Sequence, residues 1–443
     1  MITLASPEPA ATPACEPIAG NYFVAVYPPF SAWNSTQVSA LHDALNETSS
    51  VAPLGIYVHI PFCQKKCDYC YYLSYIGQNA GAVNRYLETV IREAVLYSQR
   101  PALRDRKVSF VYFGGGTPST LTTAQLGFLG KGLRDLLDWS NIEEITFEVA
   151  PRSVRPEFLK ALHELGVNRI SMGVQSFDDD LLKINGRVHL AKDVVRAYRM
   201  LRDAGFNWIN LDLMCGLIGE TPEQWHRTIQ ETLKLTPDSV TIYQTEIPYN
   251  TQLYRDFKNN RLHSPPASWE TKRLRLLSGF DALERAGYSI VSAYNAIKEP
   301  ELHRFKYQDQ LWHGTDMLGL GVASFGYCGG VHFQNEATQE EYFSAIDDGK
   351  LPVKRAYKLN DQEQLIREFV LQLKFGYVNV KYFQTKFGID ITEMFAAQLK
   401  ELSVEGFLVF SKTEVRLTRA GLLRADRIVT QFYDSKFHEI RYT

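Results

Sequence analysis

The sequence predicts an α/β protein whose core is a partial (β/α)6 barrel, TIM-like in its order of strands and helices. Two observations lead to this fold class. Short β-branched or apolar runs alternate with longer helix-period segments between residues 54 and 250, and the alternation repeats six times. Strands separated by helices of this length pair in parallel through right-handed crossovers. Six repeats suit a barrel that stops short of closing.

The six predicted strands are β-branched or apolar runs at residues 55–60, 108–113, 144–149, 169–174, 208–213 and 239–243. Helix-period segments between them include residues 84–99, 156–165, 191–204 and 222–235. A parallel barrel carries its chemistry at the carboxyl ends of its strands. We therefore expect the functional residues directly after these runs.

After residue 250 the pattern predicts an α+β extension. Residues 269–287 have the spacing of an amphipathic helix, and 288–335 contain short strands with a glycine-rich passage. Residues 361–435 have the order of a winged helix: three helices, a β pair at 408–410 and 415–417, and a last helix from Thr418. No basic stripe accompanies it, so we expect a winged-helix-like helical cap over the barrel mouth rather than a DNA-binding domain.

Four regions follow from this pattern. They are an N-terminal arm at 1–50, the barrel core at 51–250, a barrel extension and substrate wall at 251–345, and the C-terminal cap at 346–443. Within the arm, residues 1–20 are rich in Ala, Pro and Thr and predict a loose segment, whereas 21–50 carry aromatic residues that predict packing against a larger body.

The composition excludes several classes of protein. Of the 443 residues, 45% are hydrophobic and 22% are charged, which is typical of a folded chain. The net charge of -2 gives no electrostatic reason to bind nucleic acid or an anionic membrane. No apolar run approaches the roughly 18 residues needed to span a bilayer, and no secretion signal is evident. We expect a cytoplasmic monomer that acts on a small molecule, with no nucleic-acid or membrane partner.

Three of the six cysteines lie together directly after the first predicted strand, as Cys63, Cys67 and Cys70 in the spacing C-x3-C-x2-C. Three thiolates on one loop can hold three irons of a cubane cluster and leave the fourth iron without a protein ligand. The alternatives are a zinc site or structural thiols, but zinc prefers four ligands and no fourth Cys or suitably spaced His follows. Cys215 and Cys328 lie in apolar surroundings and are predicted to be buried small hydrophobes.

Polar and glycine residues stand where the other apolar strands end. Three glycines at 114–116 and Thr117 follow the second strand, Glu148 ends the third, and Gln175 ends the fourth. Arg187 follows shortly after, and Asp212 lies in the fifth strand. Any one of them can be a satisfied polar group at a barrel rim, but together they outline one ligand-sized site.

These motifs, with the segment from Asp316 to Gly321 and residues 333–335, resemble the oxygen-independent coproporphyrinogen III oxidase family of the radical S-adenosylmethionine (SAM) superfamily over residues 54–435. The resemblance implies a [4Fe-4S] cluster on the three cysteines, which binds SAM at its open iron and, once reduced, cleaves it to a 5'-deoxyadenosyl radical. It implies an electron donor such as flavodoxin or ferredoxin, and in some members a second SAM. The SAM contacts that it implies are Tyr57, Gly115, Thr117, Glu148, Gln175, Arg187 and Asp212.

Two departures from the family bear on the reaction. Tyr72 stands where coproporphyrinogen oxidases have a fourth Cys, and residues 303–312 match neither the oxidases nor the His-Asn-x-x-Tyr-Trp motif of the haem chaperones. A third branch, the class C methyltransferases and cyclopropane-forming enzymes, tolerates both changes. The resemblance to that branch implies methyl or methylene transfer from a second SAM to a small unsaturated substrate.

Two alternatives stay open. One is oxidative decarboxylation of a porphyrinogen or haem modification, with Arg304 and Lys306 as candidate partners for the propionates. The other is a non-enzymatic haem-binding chaperone, with His303, His313 or His332 as candidate haem ligands. Tyr71, Tyr72 and Tyr75 are predicted to form a wall of the SAM site. His59 is predicted either to pack within the fold or to hydrogen-bond to the loop that carries the three cysteines, here called the cluster loop.

Overall fold

A computed structural model describes residues 16–48 and 52–438. Cys15 and most of the predicted loose segment lie outside the described residues. The strands are β1 Leu54–Ile60, β2 Phe62–Cys63, β3 Tyr75–Ile76, β4 Val108–Gly115, β5 Glu144–Val149, β6 Arg169–Gln175, β7 Ile209–Cys215, β8 Ser239–Gln244, β9 Ser289–Ile290, β10 Asn295–Ile297, β11 Asp316–Leu320, β12 Phe325–Cys328, β13 Val331–Asn335, β14 Val353–Lys358, β15 Tyr377–Asn379, β16 Leu408–Phe410 and β17 Glu414–Leu417.

The helices alternate with the strands in the first half of the chain and dominate its end. They are α1 Val38–Asn46, α2 Ala80–Ser98, α3 Thr123–Leu136, α4 Pro156–Glu164, α5 Asp179–Ile184, α6 Ala191–Asp203, α7 Pro222–Leu235, α8 Gln252–Lys258, α9 Trp269–Arg285, α10 Lys306–Trp312, α11 Gln339–Asp347, α12 Asp361–Leu373, α13 Val380–Phe387, α14 Ile391–Met394, α15 Ala396–Val404, α16 Arg419–Leu422 and α17 Ala425–Ile428. None of the helices in the described ranges is both long and apolar enough to cross a membrane.

The core of the fold is a parallel sheet in the order β1-β4-β5-β6-β7-β8, as the six predicted strands require. The sheet does not close, because the outer neighbour of β1 is β11 and that of β8 is β10. The predicted partial barrel is therefore confirmed. On the β1 side the sheet continues through β11, β12, β13 and β14; the first three fall in the segment 288–335 that was predicted to hold short strands, whereas β14 was not predicted.

Alternation along the strands gives the barrel a polar interior. In β5, Ile145 and Phe147 are fully buried against the helices, whereas Glu144, Thr146 and Glu148 share the opposite face. Because Glu148 stands at the carboxyl end of this face, it projects to the mouth of the barrel. The strand run therefore supplies both the apolar core and the side chains that line the site.

The C-terminal region has a three-stranded sheet in the order β15-β17-β16, packed with α12, α13 and α15. Its order follows the predicted winged helix with three differences: β15 is an additional strand, the short α14 is an additional helix, and the predicted last helix is divided into α16 and α17. The apolar core of this cap also takes in Val24 and Tyr27 from the N-terminal segment and Tyr294 from the loop before β10. The described residues 16–48 thus pack between barrel and cap, and even the end of the predicted loose segment is anchored, where Gly20 bridges Ile247.

Candidate functional site

A cavity of about 510 Å³ opens at the carboxyl ends of the barrel strands and extends under the cap. All ten residues predicted to bind the cluster or SAM line it: Tyr57, Cys63, Cys67, Cys70, Gly115, Thr117, Glu148, Gln175, Arg187 and Asp212. They come from β1, β2, β4, β5, β6, β7 and the loops after them. The topology of the sheet therefore brings residues that lie up to 155 positions apart in the sequence (57 to 212) into one place.

The cluster loop is held at both ends. Cys63 and the preceding Phe62 form β2, which pairs with β3, and Cys70 donates its backbone N–H to the carbonyl of Cys67 at 3.2 Å. Thr117 Oγ1 donates to Cys63 Sγ at 3.5 Å, and Arg187 Nη1 donates to Cys67 Sγ at 3.3 Å. Two of the three thiols therefore already receive hydrogen bonds of the kind that stabilise a thiolate ligand.

The three thiols fit a cluster better than a single ion. Burial, with the neighbouring Cys67 adding to it, raises the pKa of the Cys70 thiol to about 11. Yet among the residues that the structure describes, no three His, Cys, Asp or Glu side chains converge on one point as a mononuclear metal site needs. A cubane cluster binds each thiolate to a different iron, so it does not need the three thiols to converge on one point.

The glycine loop after β4 has a second role beyond the predicted approach to a ligand. Gly116 donates to the carbonyl of Ile60 at 2.9 Å, and Thr117 donates to that of Phe62 at 2.8 Å, which joins this loop to the cluster loop. A Cβ on Gly116 would lie 2.9 Å from both carbonyl oxygens. Gly115 has a φ of +113°, and a Cβ there would lie 2.5 Å from the ring of His59. The glycines are thus required by packing against the cluster loop as well as by the cavity.

Two carboxylates face the cavity from adjacent parts of the barrel. Glu148 accepts hydrogen bonds from the Gly115 N–H at 3.1 Å and the Tyr112 hydroxyl at 2.8 Å. Burial, assisted by the charge of Asp212, raises the pKa of Glu148 to about 7. Asp212 accepts from Ser171 Oγ at 2.9 Å, and burial raises its pKa too. These acids can accept hydrogen bonds from the hydroxyl or ammonium groups of a ligand.

The backbone conformation is unusual where Gln175 and Arg187 reach the cavity. Gln175 has a φ of +66° at an irregularity in the pairing of β6 and β7, a conformation that non-glycine residues adopt mainly under local constraint. Arg187 follows Gly186 and donates from Nη2 to the carbonyl of Gly173 at 2.6 Å. Its Nε is buried without a hydrogen-bond partner, so an acceptor atom on a bound ligand would satisfy this N–H.

Arg169 also lines the cavity and was not among the residues nominated from the sequence. It is 3% exposed, its guanidinium lies 3.8 Å from the ring centre of Phe305, and its Nε and Nη1 have no hydrogen-bond partner. Arg169 shares a strand face with Ser171, Gly173 and Gln175. Because alternate residues of a strand point to the same face, counting back in twos from Gln175 would have predicted that Arg169 points into the barrel.

Aromatic side chains form one wall of the cavity. Tyr57 stacks on Tyr112 at 5.8 Å, and Tyr112 lies 4.7 Å from Tyr307. Tyr71 and Tyr72 stack on each other at 4.5 Å and line the cavity as predicted. Tyr75 was wrongly assigned to this wall. Its hydroxyl instead accepts from the backbone N–H of Gln339 outside the cavity, because β3 turns its side chain toward α11.

His59 packs beside the glycine loop, one of the two roles predicted for it. Burial lowers its pKa to about 4, and Nδ1 lies 3.3 Å from the Tyr57 hydroxyl. Cys215 and Cys328 are buried, as predicted.

The residues nominated for porphyrinogen or haem do not line the cavity. Arg304 pairs with Asp309 at 2.7 Å, and Lys306 pairs with Glu143 at 2.5 Å on the outer side of the barrel. His332 is 1% exposed and its Nε2 lies 3.1 Å from the carbonyl of Tyr27. His303 and His313 also lie outside the lining. These side chains are engaged in local contacts, which corrects their proposed roles in this cavity.

Comparisons with known proteins agree with this geometry. Residues 57–232 match the radical SAM superfamily, and residues 359–424 match the HemN C-terminal domain. The haem chaperone HemW of Bacillus subtilis is 32% identical over 85% of this chain and 98% of its own length. An oxygen-independent coproporphyrinogen III oxidase of Pseudomonas aeruginosa is 29% identical over 88% of each chain.

A solved structure of the radical SAM enzyme HemN, coproporphyrinogen III oxidase of Escherichia coli, has the same fold. It superposes with a TM-score of 0.81 at 24% identity and covers 95% of this chain and 100% of its own. The sequence match to HemW extends the agreement from fold to family. The chain therefore belongs to the radical SAM superfamily, in the family of HemN-type coproporphyrinogen III oxidases and HemW haem chaperones, and its cofactors are a [4Fe-4S] cluster and SAM.

Proposed function

We propose that this chain is a radical SAM enzyme that transfers a methyl or methylene group from a second SAM to an sp2 carbon of a small, unsaturated substrate. The observation that carries the proposal is the extent of the cavity beyond the SAM-motif residues. Past Glu148 and Asp212 it continues to an aromatic wall of Tyr112, Phe305 and Tyr307, beside which lies Arg169 with two nitrogens that make no hydrogen bond. Such a chamber suits a flat, unsaturated ligand next to the first SAM.

The bound cluster and SAM supply the 5'-deoxyadenosyl radical, and the chain supplies position and shelter. Arg187 orients the Cys67 thiolate and keeps one N–H free for a ligand acceptor. Glu148 and Asp212 accept hydrogen bonds from ligand hydroxyl or ammonium groups. The aromatic wall and the stacked Tyr71 and Tyr72 exclude water from the reacting atoms.

In the proposed transfer, a hydrogen atom leaves the methyl group of the substrate SAM and is recovered in 5'-deoxyadenosine. The resulting methylene radical bonds to the sp2 carbon, and one further electron from an external donor of the flavodoxin or ferredoxin class reduces the adduct as the carbon–sulfur bond breaks and S-adenosylhomocysteine leaves. The transferred carbon closes a cyclopropane ring across the former double bond, or takes over the hydrogen displaced from the sp2 carbon and becomes a methyl group. The position of Tyr72 favours this chemistry over porphyrinogen oxidation, because it replaces the fourth Cys of the oxidases with an aromatic side chain at the cavity wall.

The test uses SAM whose methyl group is fully deuterated. The protein is reconstituted anaerobically with iron and sulfide and reduced in the presence of the labelled SAM. We expect deuterium in 5'-deoxyadenosine, accompanied by S-adenosylhomocysteine when an acceptor is present. Because the methyl group is itself the hydrogen donor, label transfer reports this step before the acceptor is known. Unlabelled 5'-deoxyadenosine, or decarboxylation of a supplied porphyrinogen, would overturn methyl or methylene transfer.

A haem chaperone is the second candidate, favoured by the 32% identity to HemW over 98% of that protein. Haem titration of the reconstituted protein separates the two. Stoichiometric haem binding with no SAM cleavage supports the chaperone, whereas SAM cleavage without haem binding supports the enzyme. The second result is the one we expect, since His303, His313 and His332 all lie outside the cavity lining.

A further inference from the structure

The cap-side end of the cavity is walled by three arginines that the proposed transfer does not use. Arg273 comes from α9, Arg424 directly precedes α17, and Arg427 lies within α17. All three line the cavity. Since they come from the barrel extension and from the cap, this end of the cavity exists only where those two regions meet.

Arg427 is held flat by aromatic rings. Its guanidinium lies 3.7 Å from the ring centre of Tyr22 and 5.2 Å from that of Trp269, and the two rings meet edge to face at 5.3 Å. Its Nε and Nη2 are buried and have no hydrogen-bond partner. Neither N–H is used in a hydrogen bond, although Nε lies 3.7 Å from Glu16 Oε1, and an oxyanion at this edge would accept two parallel hydrogen bonds.

The three arginines share one charged carboxylate, that of Glu16. Its Oε1 lies 2.5 Å from Arg273 Nη2 but 3.7 Å from Arg427 Nε, so Arg427 gains an ion pair without a hydrogen bond. Burial alone would raise the pKa of Glu16, yet the pKa is lowered, since Arg273, Arg427 and Arg424 outweigh burial. Glu16 is not among the residues that line the cavity.

The two other acids at this end do not neutralise Arg427. Asp426 accepts from the backbone N–H of Val24 at 2.9 Å and from the Tyr294 hydroxyl at 2.5 Å, and it lies 3.7 Å from Lys374 Nζ. Glu246 accepts from the Tyr22 N–H at 3.0 Å, and burial raises its pKa to about 8, so it is largely uncharged at neutral pH. The cavity therefore has an excess of positive charge here, and two buried donors of Arg427 make no hydrogen bond.

We propose that the Arg273, Arg424 and Arg427 end of the cavity binds an oxyanion group, a carboxylate or a phosphate, carried by the substrate. Glu16 competes with that group for Arg273. The assignment of the anion to the substrate rests on the proposed function. Binding of the anion itself requires no turnover.

The test measures binding of inorganic phosphate and of succinate to the anaerobically reconstituted full chain by isothermal titration calorimetry. Loss of a charge-assisted pair of hydrogen bonds should weaken binding of the preferred probe about 10- to 100-fold in Arg427→Gln. The probe that binds more tightly identifies the group as phosphate or carboxylate. Equal binding to wild type and Arg427→Gln, or no binding of either probe to wild type, would overturn the proposal.

Arg419→Gln is the matched control. Arg419 lies in the same cap, pairs with Asp281 and Glu284 of α9, and does not line the cavity, so probe affinity should equal that of wild type. A second variant, Glu16→Gln, decides the matter if Arg427→Gln does not fold. Removal of the competing carboxylate should tighten probe binding several-fold, whereas unchanged or weaker binding contradicts the proposal.

The two proposals fail separately. If labelled SAM gives no deuterated 5'-deoxyadenosine but phosphate or succinate binding still depends on Arg427, methyl or methylene transfer is wrong and the anion site stands. If label transfer occurs and neither probe depends on Arg427, the anion site is wrong and the transfer stands.

Discussion

Arg187 joins the cluster loop to the barrel, since its guanidinium donates to Cys67 Sγ at 3.3 Å and to the Gly173 carbonyl at 2.6 Å. A cation beside a thiolate ligand stabilises the more negatively charged, reduced state of a cluster. The residue can therefore set the ease of reduction as well as hold a ligand.

We expect Arg187→Gln to make the reduction potential of the cluster about 60 mV more negative, equivalent to ~1.4 kcal/mol for a one-electron couple. Anaerobic potentiometric titration followed by electron paramagnetic resonance measures the change. Arg187→Lys keeps the charge and should recover part of the shift. A potential unchanged in Arg187→Gln would show that the hydrogen bond to Cys67 has no electronic effect.

Gly116→Ala should lower the iron and sulfide content of reconstituted protein, because its Cβ would press on the carbonyls of Ile60 and Phe62 and displace the cluster loop. Gly127→Ala is the control. Gly127 lies in α3, and a Cβ added there would meet no atom within 4 Å, so the change should raise the free energy of unfolding by up to about 1 kcal/mol. Equal cluster content in both variants would contradict the packing role of Gly116.

SAM affinity should rise between pH 6 and pH 8. The pKa of Glu148 is raised by burial from its ordinary 4.5 to about 7, so the carboxylate forms in this range and favours a ligand with net positive charge. Anaerobic equilibrium dialysis measures the affinity, and Glu148→Gln should flatten its pH profile. The same raised pKa gives the opposite sign for folding, since the stabilisation from Glu148 is complete below pH 4.5 and is lost as pH rises through about 7.

Arg169 and Arg106 are two buried arginines that differ in their hydrogen bonds. Arg106 pairs with Asp316 at 2.6 Å and also donates to the carbonyls of Ala52 and Pro53, whereas Arg169 has two unpartnered nitrogens. We expect Arg106→Met to lower the free energy of unfolding by about 3–5 kcal/mol, because it leaves Asp316 unpaired.

Arg169→Met should cost no more than the roughly 1 kcal/mol typical of a point substitution, yet lower turnover of the substrate. Urea unfolding of both variants gives the free energies. A loss for Arg169→Met as large as that for Arg106→Met would mean that Arg169 serves the fold rather than a ligand.

The sequence predicted the parallel core well because each of its strands is buried on one face and meets the cavity with the other. Runs such as β5, with Ile145 and Phe147 inward to the core and Glu148 at the end, carry both features in a few residues. The continuation of the sheet through β12 to β14 was less predictable. Those strands are short, and their pairing depends on which edge of the barrel is left open.

The residues of the site also differ in how well the sequence predicts them. Residues at strand ends, such as Glu148 and Asp212, were found because a polar side chain interrupts an apolar run. Arg169 begins a strand and resembles an ordinary flanking cation, and Arg427 reaches the cavity only because the cap folds back over the barrel. Tyr75 was misplaced because proximity to the cluster in sequence does not fix the side of a strand on which a ring lies.

The shared core of the cap has a consequence for the exchange of parts among relatives. Val24, Tyr27 and Tyr294 are packed in it together with the residues of α12 and β17, so the last hundred residues complete their interior with segments from far upstream. A chimera that exchanges only the terminal region would leave unfilled space in this apolar core and would remove the packing partners of the three upstream residues. An exchange of substrate preference between family members therefore requires that the N-terminal segment and the loop before β10 be exchanged together with the cap.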